Sequence, residues 1–289
     1  MTAAITAPDP RTATAPSGTN DTAGARRIAA AIERARGEGR AAFIPYVVAG
    51  YPDAETSVDI ALATVDGGAD VLEVGFPYSD PLADGATIQR ASTAALRTGA
   101  SLEGSLRLIE RLAAVRPGVP IVPMAYANQV IGGGDGDAVA GRLARAGAAG
   151  IIVADLTPDE GGPLEAVARE AGLAVIYLVA PTTLPERRAL IAARSGGFLY
   201  CVSLIGLTGA RTTLPTSVGR LVRSVKAVSP VPVAVGFGVS KPAHVRAYVR
   251  AGADAIVVAS ALIDALGPDG RDVRALADLV RRLRDATAR

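Results

Sequence analysis

The sequence predicts an α/β fold, a (β/α)8 TIM barrel with an N-terminal helix and a disordered N-terminal tail. Three observations carry this expectation. First, short apolar strand candidates at 43–48, 71–75, 119–124, 151–155, 174–179, 198–202, 231–236 and 255–258 alternate with longer amphipathic segments, among them 55–65, 102–115, 138–146, 164–171, 217–227 and 242–251. Eight such units in roughly 250 residues match the usual size of this barrel. Second, the strand candidates are continuous apolar runs, as expected of strands covered on both faces. Third, Gly68-Ala69-Asp70, Gly147-Ala148-Ala149, Gly172-Leu173-Ala174 and Gly252-Ala253-Asp254 each stand between a helix and a strand. Glycine there supplies the left-handed conformation that closes a helix. The alternative, an open doubly wound sheet, fits less well with eight units and no G-x-G-x-x-G fingerprint.

The elements follow in order. Residues 1–24 are rich in Ala, Thr, Pro, Gly and Asp without periodicity and read as a disordered tail, leaving 25–289 as the barrel. Ile28 and Ile32 lie four apart among Arg and Glu, which predicts a helix leading into the barrel. The longest apolar stretches are far short of a membrane span. Formal net charge is +2, with basic and acidic residues interspersed, which argues against a nucleic-acid or membrane surface. The N-terminus lacks the blocks of a secretory signal, so a cytoplasmic protein is expected.

Scarce residue types limit the chemistry. Cys201 is the one cysteine, so no internal disulfide can form. His244 is the one histidine, which excludes a multi-histidine metal site and forces any Ser-His-Asp triad to use it. Lys226 and Lys241 are the only lysines, and neither lies in a strand candidate where a Schiff-base aldolase would need one. No metal is expected.

Active sites of such barrels lie at the C-terminal ends of the strands. In Asp70-Val71-Leu72-Glu73-Val74-Gly75, strand alternation puts Val71, Glu73 and Gly75 on the inner face and Leu72 and Val74 toward the helices. An inward carboxyl is costly unless paired or functional. Glu73 is therefore either a catalytic group or a structural carboxylate bonded to backbone or a tyrosine. Tyr200 alternates inward with Phe198 and Val202, beside Glu73 or as ordinary core, while Cys201 faces the helices. Asp84 and Asp80 lie in a Gly- and Pro-containing loop, where an Asx-turn or capping role is the general alternative.

The segment Glu73-Val-Gly-Phe-Pro-Tyr-Ser-Asp-Pro-Leu-Ala-Asp-Gly-Ala-Thr-Ile-Gln89 closely resembles the signature of the tryptophan synthase alpha family. Ala86 alone departs from it, standing where the family has proline. Phe43-Ile44-Pro45-Tyr46, Tyr126-Ala127-Asn128, Gly206-Leu207-Thr208-Gly209 and Gly236-Phe237-Gly238 extend the resemblance over about 25–289. The resemblance implies a lyase that cleaves indole-3-glycerol phosphate to indole and glyceraldehyde 3-phosphate in tryptophan biosynthesis.

It further implies Glu73 and Asp84 as the catalytic pair, with Tyr200 beside them. Tyr46, Met124, Ile152, Leu178, Thr208, Phe237 and Val257 would line the substrate pocket. Gly209, Gly236, Gly238, Ala259 and Ser260 would hold the phosphate through free backbone N–H groups. Asp80, Pro81 and Asn128 would couple the site to a beta chain in an alpha2beta2 tetramer, with pyridoxal phosphate in that partner and no cofactor in this chain. Residues 203–216 resemble the family's mobile lid. Two more departures stand out: Ala259 replaces a usual glycine, and Gln129 with the glycine-rich 132–136 replaces the usual continuation after Asn128. A free-standing lyase without a beta chain and a non-catalytic barrel subunit are the alternatives.

Overall fold

The computed structural model describes residues 20–131, 136–202, 216–236 and 238–289. Nine strands run through them: β1 (Ala42–Val48), β2 (Leu72–Gly75), β3 (Ile121–Ala125), β4 (Gly150–Val153), β5 (Ala174–Ile176), β6 (Leu178–Val179), β7 (Leu199–Val202), β8 (Val233–Gly236) and β9 (Ala255–Val258). They pair in the order β5-β4-β3-β2-β1-β9-β8-β7-β6, all parallel. The two ends of that order are neighbours in the chain, separated by Tyr177 alone. The fifth strand therefore pairs with β4 along its first half and with β7 along its second, and the sheet curls into a barrel with a seam at Tyr177.

The unbroken strand expected over 174–179 is corrected accordingly. Its inward alternation survives, because Ala174, Ile176 and Leu178 all pack into the interior. The break is a matter of hydrogen bonding. Tyr177 N–H donates to Ser195 Oγ at 3.0 Å instead of to a strand, while its carbonyl accepts from Tyr200 N–H at 3.1 Å and stitches the seam. The expected strands at 119 and 231 begin later, at Ile121 and Val233. Pro120 and Pro232 have no N–H to give to a ladder, so regular pairing starts after them.

Around the barrel run α1 (Ala23–Gly37), α2 (Ala54–Asp66), α3 (Ala86–Arg97), α4 (Leu102–Val115), α5 (Ala127–Val130), α6 (Gly136–Arg145), α7 (Gly162–Glu170), α8 (Pro185–Arg194), α9 (Thr216–Lys226), α10 (Pro242–Arg250), α11 (Ser260–Ala265) and α12 (Val273–Asp285). Local sequence explains their ends. Thr22, Asp53, Ser101 and Asp272 cap α1, α2, α4 and α12 by accepting an N–H of the first turn. Gly68, Gly147, Gly172 and Gly252 have φ of 108°, 97°, 77° and 97°, as the repeat predicts. No helix among the described residues is long and apolar enough to cross a membrane.

Two apolar layers result. The outer one lies between strands and helices and takes Leu72, Val74 and Cys201. The inner one fills the barrel with Ala42, Ile44, Val71, Val122, Ile152, Phe198, Ala234 and Val257. The inner layer also takes Ile28, Ala31, Ile32 and Ala35 from one face of α1. Fully burying Ile28 and Ile32 contributes about 1.5–3 kcal/mol each. That face meets residues at the strand starts, so α1 closes the N-terminal end and leaves the other end as the mouth.

The seam has an electrostatic clamp on its outer side. Glu165 on α7 accepts from the Tyr177 hydroxyl at 2.6 Å and from Arg194 through two bonds of 2.9 Å. Glu165→Ala would leave a buried phenol and a half-buried guanidinium without their acceptor. We expect it to lower stability by about 2–3 kcal/mol, read as a reduced urea midpoint at unchanged m-value. An unchanged midpoint would show that the seam holds without the clamp.

Candidate active site

Alternation on β2 puts Glu73 inside the mouth between Val71 and Gly75, and the side chain is 1% exposed. In register, Tyr46 of β1 lies beside Glu73 on one side and Val122 of β3 on the other. Glu73 Oε2 is buried without a hydrogen-bond partner among the described residues. Burial, and secondarily the Asp84 charge, push the Glu73 carboxyl up from 4.5 to about 8.

Asp84 reaches the same space from the loop between β2 and α3. Burial pushes it up to about 6, while a hydrogen bond from the Tyr126 phenol holds it down. Its backbone is shaped by a turn, Asp84 N–H to Pro81 O at 3.2 Å, and by the Gln89 side chain donating to Asp84 O at 2.8 Å. Tyr46 and Tyr200 are both buried and feel both carboxylates, and burial first of all keeps their phenols protonated. Both need space at a neighbouring strand end. A Cβ on Gly75 would lie 1.8 Å from the Tyr46 hydroxyl, and one on Gly236 would lie 2.6 Å from the Tyr200 hydroxyl. Glycine at each position makes room for a phenol.

The structure thus brings together Glu73, Asp84, Tyr200 and Tyr46. Ile152 and Val257 are buried in the same interior, with Met124 and Leu178 half-buried at its edge. Gly236 ends β8, Gly238 takes a φ of 45°, and Ser260 opens α11 directly after β9. Ala259 has a φ of −121°, outside the left-handed region that favours glycine. Thr208, Gly209 and Phe237 lie outside the described residues, as do 203–215 of the expected lid and 132–135 of the glycine-rich stretch. Asp80 is exposed and Pro81 half-buried on the Asp84 loop. Asn128 donates to the Tyr78 hydroxyl at 3.3 Å.

Two residues were noted in the sequence but given no site role. Tyr126 accepts from Ala83 N–H at 3.0 Å, which sets its phenol beside Asp84, and stacks on Tyr78 with ring centroids 4.9 Å apart. Gln129 donates to Pro77 O at 3.0 Å and accepts from Tyr126 N–H at 3.1 Å. The signal for Tyr126 was its place one residue beyond β3, at the mouth. Nothing local pointed to Gln129.

Fold and site together define a (β/α)8 barrel of the enzyme kind, with two carboxyls brought together at its mouth. Residues 32–287 match the family model described as tryptophan synthase alpha chain. The chain is 46% identical over 260 residues to the tryptophan synthase alpha chain of Roseiflexus castenholzii, covering 89% of this chain and 99% of that one. It is 46% identical over 225 residues to that of Methanothermobacter thermautotrophicus, covering 78% and 83%. Among solved structures, tryptophan synthase of Mycobacterium tuberculosis superposes with a TM-score of 0.84 at 40% identity, covering 91% of this chain and 98% of that one. This chain belongs to the tryptophan synthase alpha chain family, and so to the lyases of tryptophan biosynthesis.

The raised Glu73 value makes stability depend on pH. An unfolded carboxyl ionises near 4.5, whereas the folded one holds its proton to about 8. The native state therefore binds more protons between those values, and Glu73 subtracts stability as pH rises through that window. Glu73→Gln should unfold at the same denaturant midpoint as the parent near pH 4. It should be progressively more stable toward pH 8, by up to about 1.4 kcal/mol per pH unit. Parallel curves across the range would show that Glu73 ionises normally.

Proposed function

We propose that this chain cleaves indole-3-glycerol phosphate in a retro-aldol step, with Glu73 as proton shuttle and Asp84 as the anion at the indole nitrogen. The observation that carries this reading is the pair itself: a buried carboxyl held to about 8, beside a second one at about 6. Between those values the favoured state is Glu73 protonated and Asp84 ionised. Glu73 gives its proton to indole C3, and the ring nitrogen becomes positive, a charge that Asp84 stabilises. Glu73, now a carboxylate, takes the proton of the side-chain hydroxyl. The carbon–oxygen double bond forms, the carbon–carbon bond breaks, and its electron pair returns to the ring to leave indole. Glu73 ends as it began.

The apolar inner layer supports the pocket assignment: Ile152, Val257, Met124 and Leu178, with Tyr46 and Tyr200, offer a surface fit for an indole ring. Backbone N–H groups at Gly236, Gly238, Ala259 and Ser260, with Gly209, would hold the phosphate, and Thr208 and Phe237 would contact the substrate. The ring positions itself for protonation, and the phosphate anchors the glycerol end. No step calls for a cofactor in this chain.

In this scheme kcat/KM for indole release is bell-shaped in pH, falling below about 6 as Asp84 protonates and above about 8 as Glu73 ionises. Glu73→Gln should cost about 10²–10⁴-fold or more with phosphate-ligand binding kept. Asp84→Asn should lower kcat strongly with little change in KM and should abolish the acid limb. Near-parental turnover of either variant would remove it from the chemistry.

We assign the exposed loop carrying Asp80 and Pro81, with Asn128, to contact with a tryptophan synthase beta chain in an alpha2beta2 tetramer that carries the pyridoxal phosphate. Partner binding would favour the closed arrangement of the mouth loops. Adding the beta chain from the same source should then raise indole release about tenfold, a coupling of about 1.4 kcal/mol. Full activity alone, with no stimulation and no co-elution in gel filtration, would mark a free-standing lyase. Intact phosphate-ligand binding without turnover in either condition would mark a non-catalytic subunit.

A further inference from the structure

Gln129 makes two side-chain bonds that join separate mouth loops. Its Nε2 donates to the carbonyl of Pro77, at the root of the loop that carries Asp84. Its Oε1 accepts from the backbone N–H of Tyr126, at the end of β3. Its own N–H donates to Tyr126 O at 2.9 Å, so the backbone of Tyr126 is held from both sides by one residue. From that backbone the Tyr126 phenol reaches the loop of Asp84, where it accepts from the N–H of Ala83, the residue before Asp84, at 3.0 Å. The ring rests on Tyr78, whose hydroxyl takes a bond from Asn128. A second support comes from β4, where Asp155 accepts from Ala127 N–H at 2.7 Å.

We propose that Gln129 is a positioning residue for the acid–base pair, acting through Tyr126 to hold Asp84 at its working geometry. A glutamine suits this place because the two loops present one carbonyl and one N–H, and its amide offers a donor to the first and an acceptor to the second on one planar group. The half-buried setting makes the loss of either bond felt, since the backbone groups left behind are partly shielded from water. A shift of Tyr126 by a fraction of an ångström moves its phenol, and with it the Ala83–Asp84 backbone bonded to that phenol. Such small misplacements carry large rate penalties when they reach a catalytic group. The catalytic consequence rests on the division of labour proposed above, whereas the effect on Asp84 itself does not.

The groups facing Asp84 are Glu73 on β2, Tyr46 on β1, Tyr126 beyond β3 and Tyr200 on β7. Of these, Tyr126 lowers the Asp84 value through a hydrogen bond, so loosening it moves the titration upward. The test is carbon-13 NMR titration of the Asp84 carboxyl in the free protein, assigned with Asp84→Asn, in Gln129→Met, Gln129→Glu, Tyr126→Phe and the double variant Gln129→Met/Tyr126→Phe. Tyr126→Phe should raise the Asp84 midpoint by about one pH unit, the size expected for one hydrogen bond to a charged acceptor. Gln129→Met should raise it by about half a unit and lower kcat about tenfold with KM within about twofold of the parent. Gln129→Glu keeps the acceptor for Tyr126 and should recover part of the shift. The double variant should match Tyr126→Phe alone, because one acts through the other. An unmoved Asp84 midpoint in Gln129→Met, or full additivity in the double variant, overturns the proposal. Titration shifts as expected in a protein that releases no indole would leave the positioning role standing and overturn the proposed reaction instead.

Discussion

An ionisable carboxyl placed on the inner face of a closed parallel barrel is the constraint on which the rest of this structure depends. Glu73 is buried, and its Oε2 meets no hydrogen-bond donor among the described residues. Burial of that kind disfavours the anion, so the side chain keeps its proton to about 8. Proteins rarely keep such a group without a use for it. Its neighbours are arranged around the same fact. The phenols of Tyr46 and Tyr200 are neutral and share its space without repelling the anion it becomes. Glycines at 75 and 236 clear the volume those phenols need.

Holding one acid neutral is useful only beside another that ionises. Asp84 differs from Glu73 in where it sits, on a loop at the rim, and in having a donor, the Tyr126 phenol. Two groups of the same chemistry thereby separate by about two units, which is enough for one to stay neutral while the other is ionised. The strand supplies rigidity to the first. The second depends on a loop, and a loop needs cross-links to be accurate. Pro77, Tyr78, Tyr126, Asn128 and Gln129 supply them between β2 and β3, and Asp155 continues the chain to β4.

The closed sheet depends on a detail of similar scale. One strand must pair with both flanks at the seam, and it does so by yielding its ladder bond at Tyr177 to Ser195. The phenol of that same residue is then tied outward by Glu165 and Arg194. The seam thus lies beside β7 and Tyr200, so barrel closure and the inner wall of the site are one piece of construction.

The eight-unit alternation, the inward face of β2 and β7, the four helix-ending glycines and the family were all legible in the sequence. These follow from local rules: residue periodicity, turn conformations open to glycine, and an uninterrupted motif from Glu73 to Gln89. The split of the fifth strand was not legible, because Ala174, Ile176 and Leu178 keep one alternation through it, and only the positions of β4 and β7 show that the bonding changes sides. Nor was the separation of the two carboxyl values, which arises from burial depth and from a phenol forty-two residues away in the chain. Gln129 was visible as a departure from the family pattern, but its bonds to Pro77 and Tyr126 exist only once two loops meet at the mouth. What the sequence by itself determined is which residues face inward and which family they serve. What only the tertiary structure decided is how each ionisable group is surrounded, because desolvation and hydrogen bonding depend on neighbours that sequence order does not bring together.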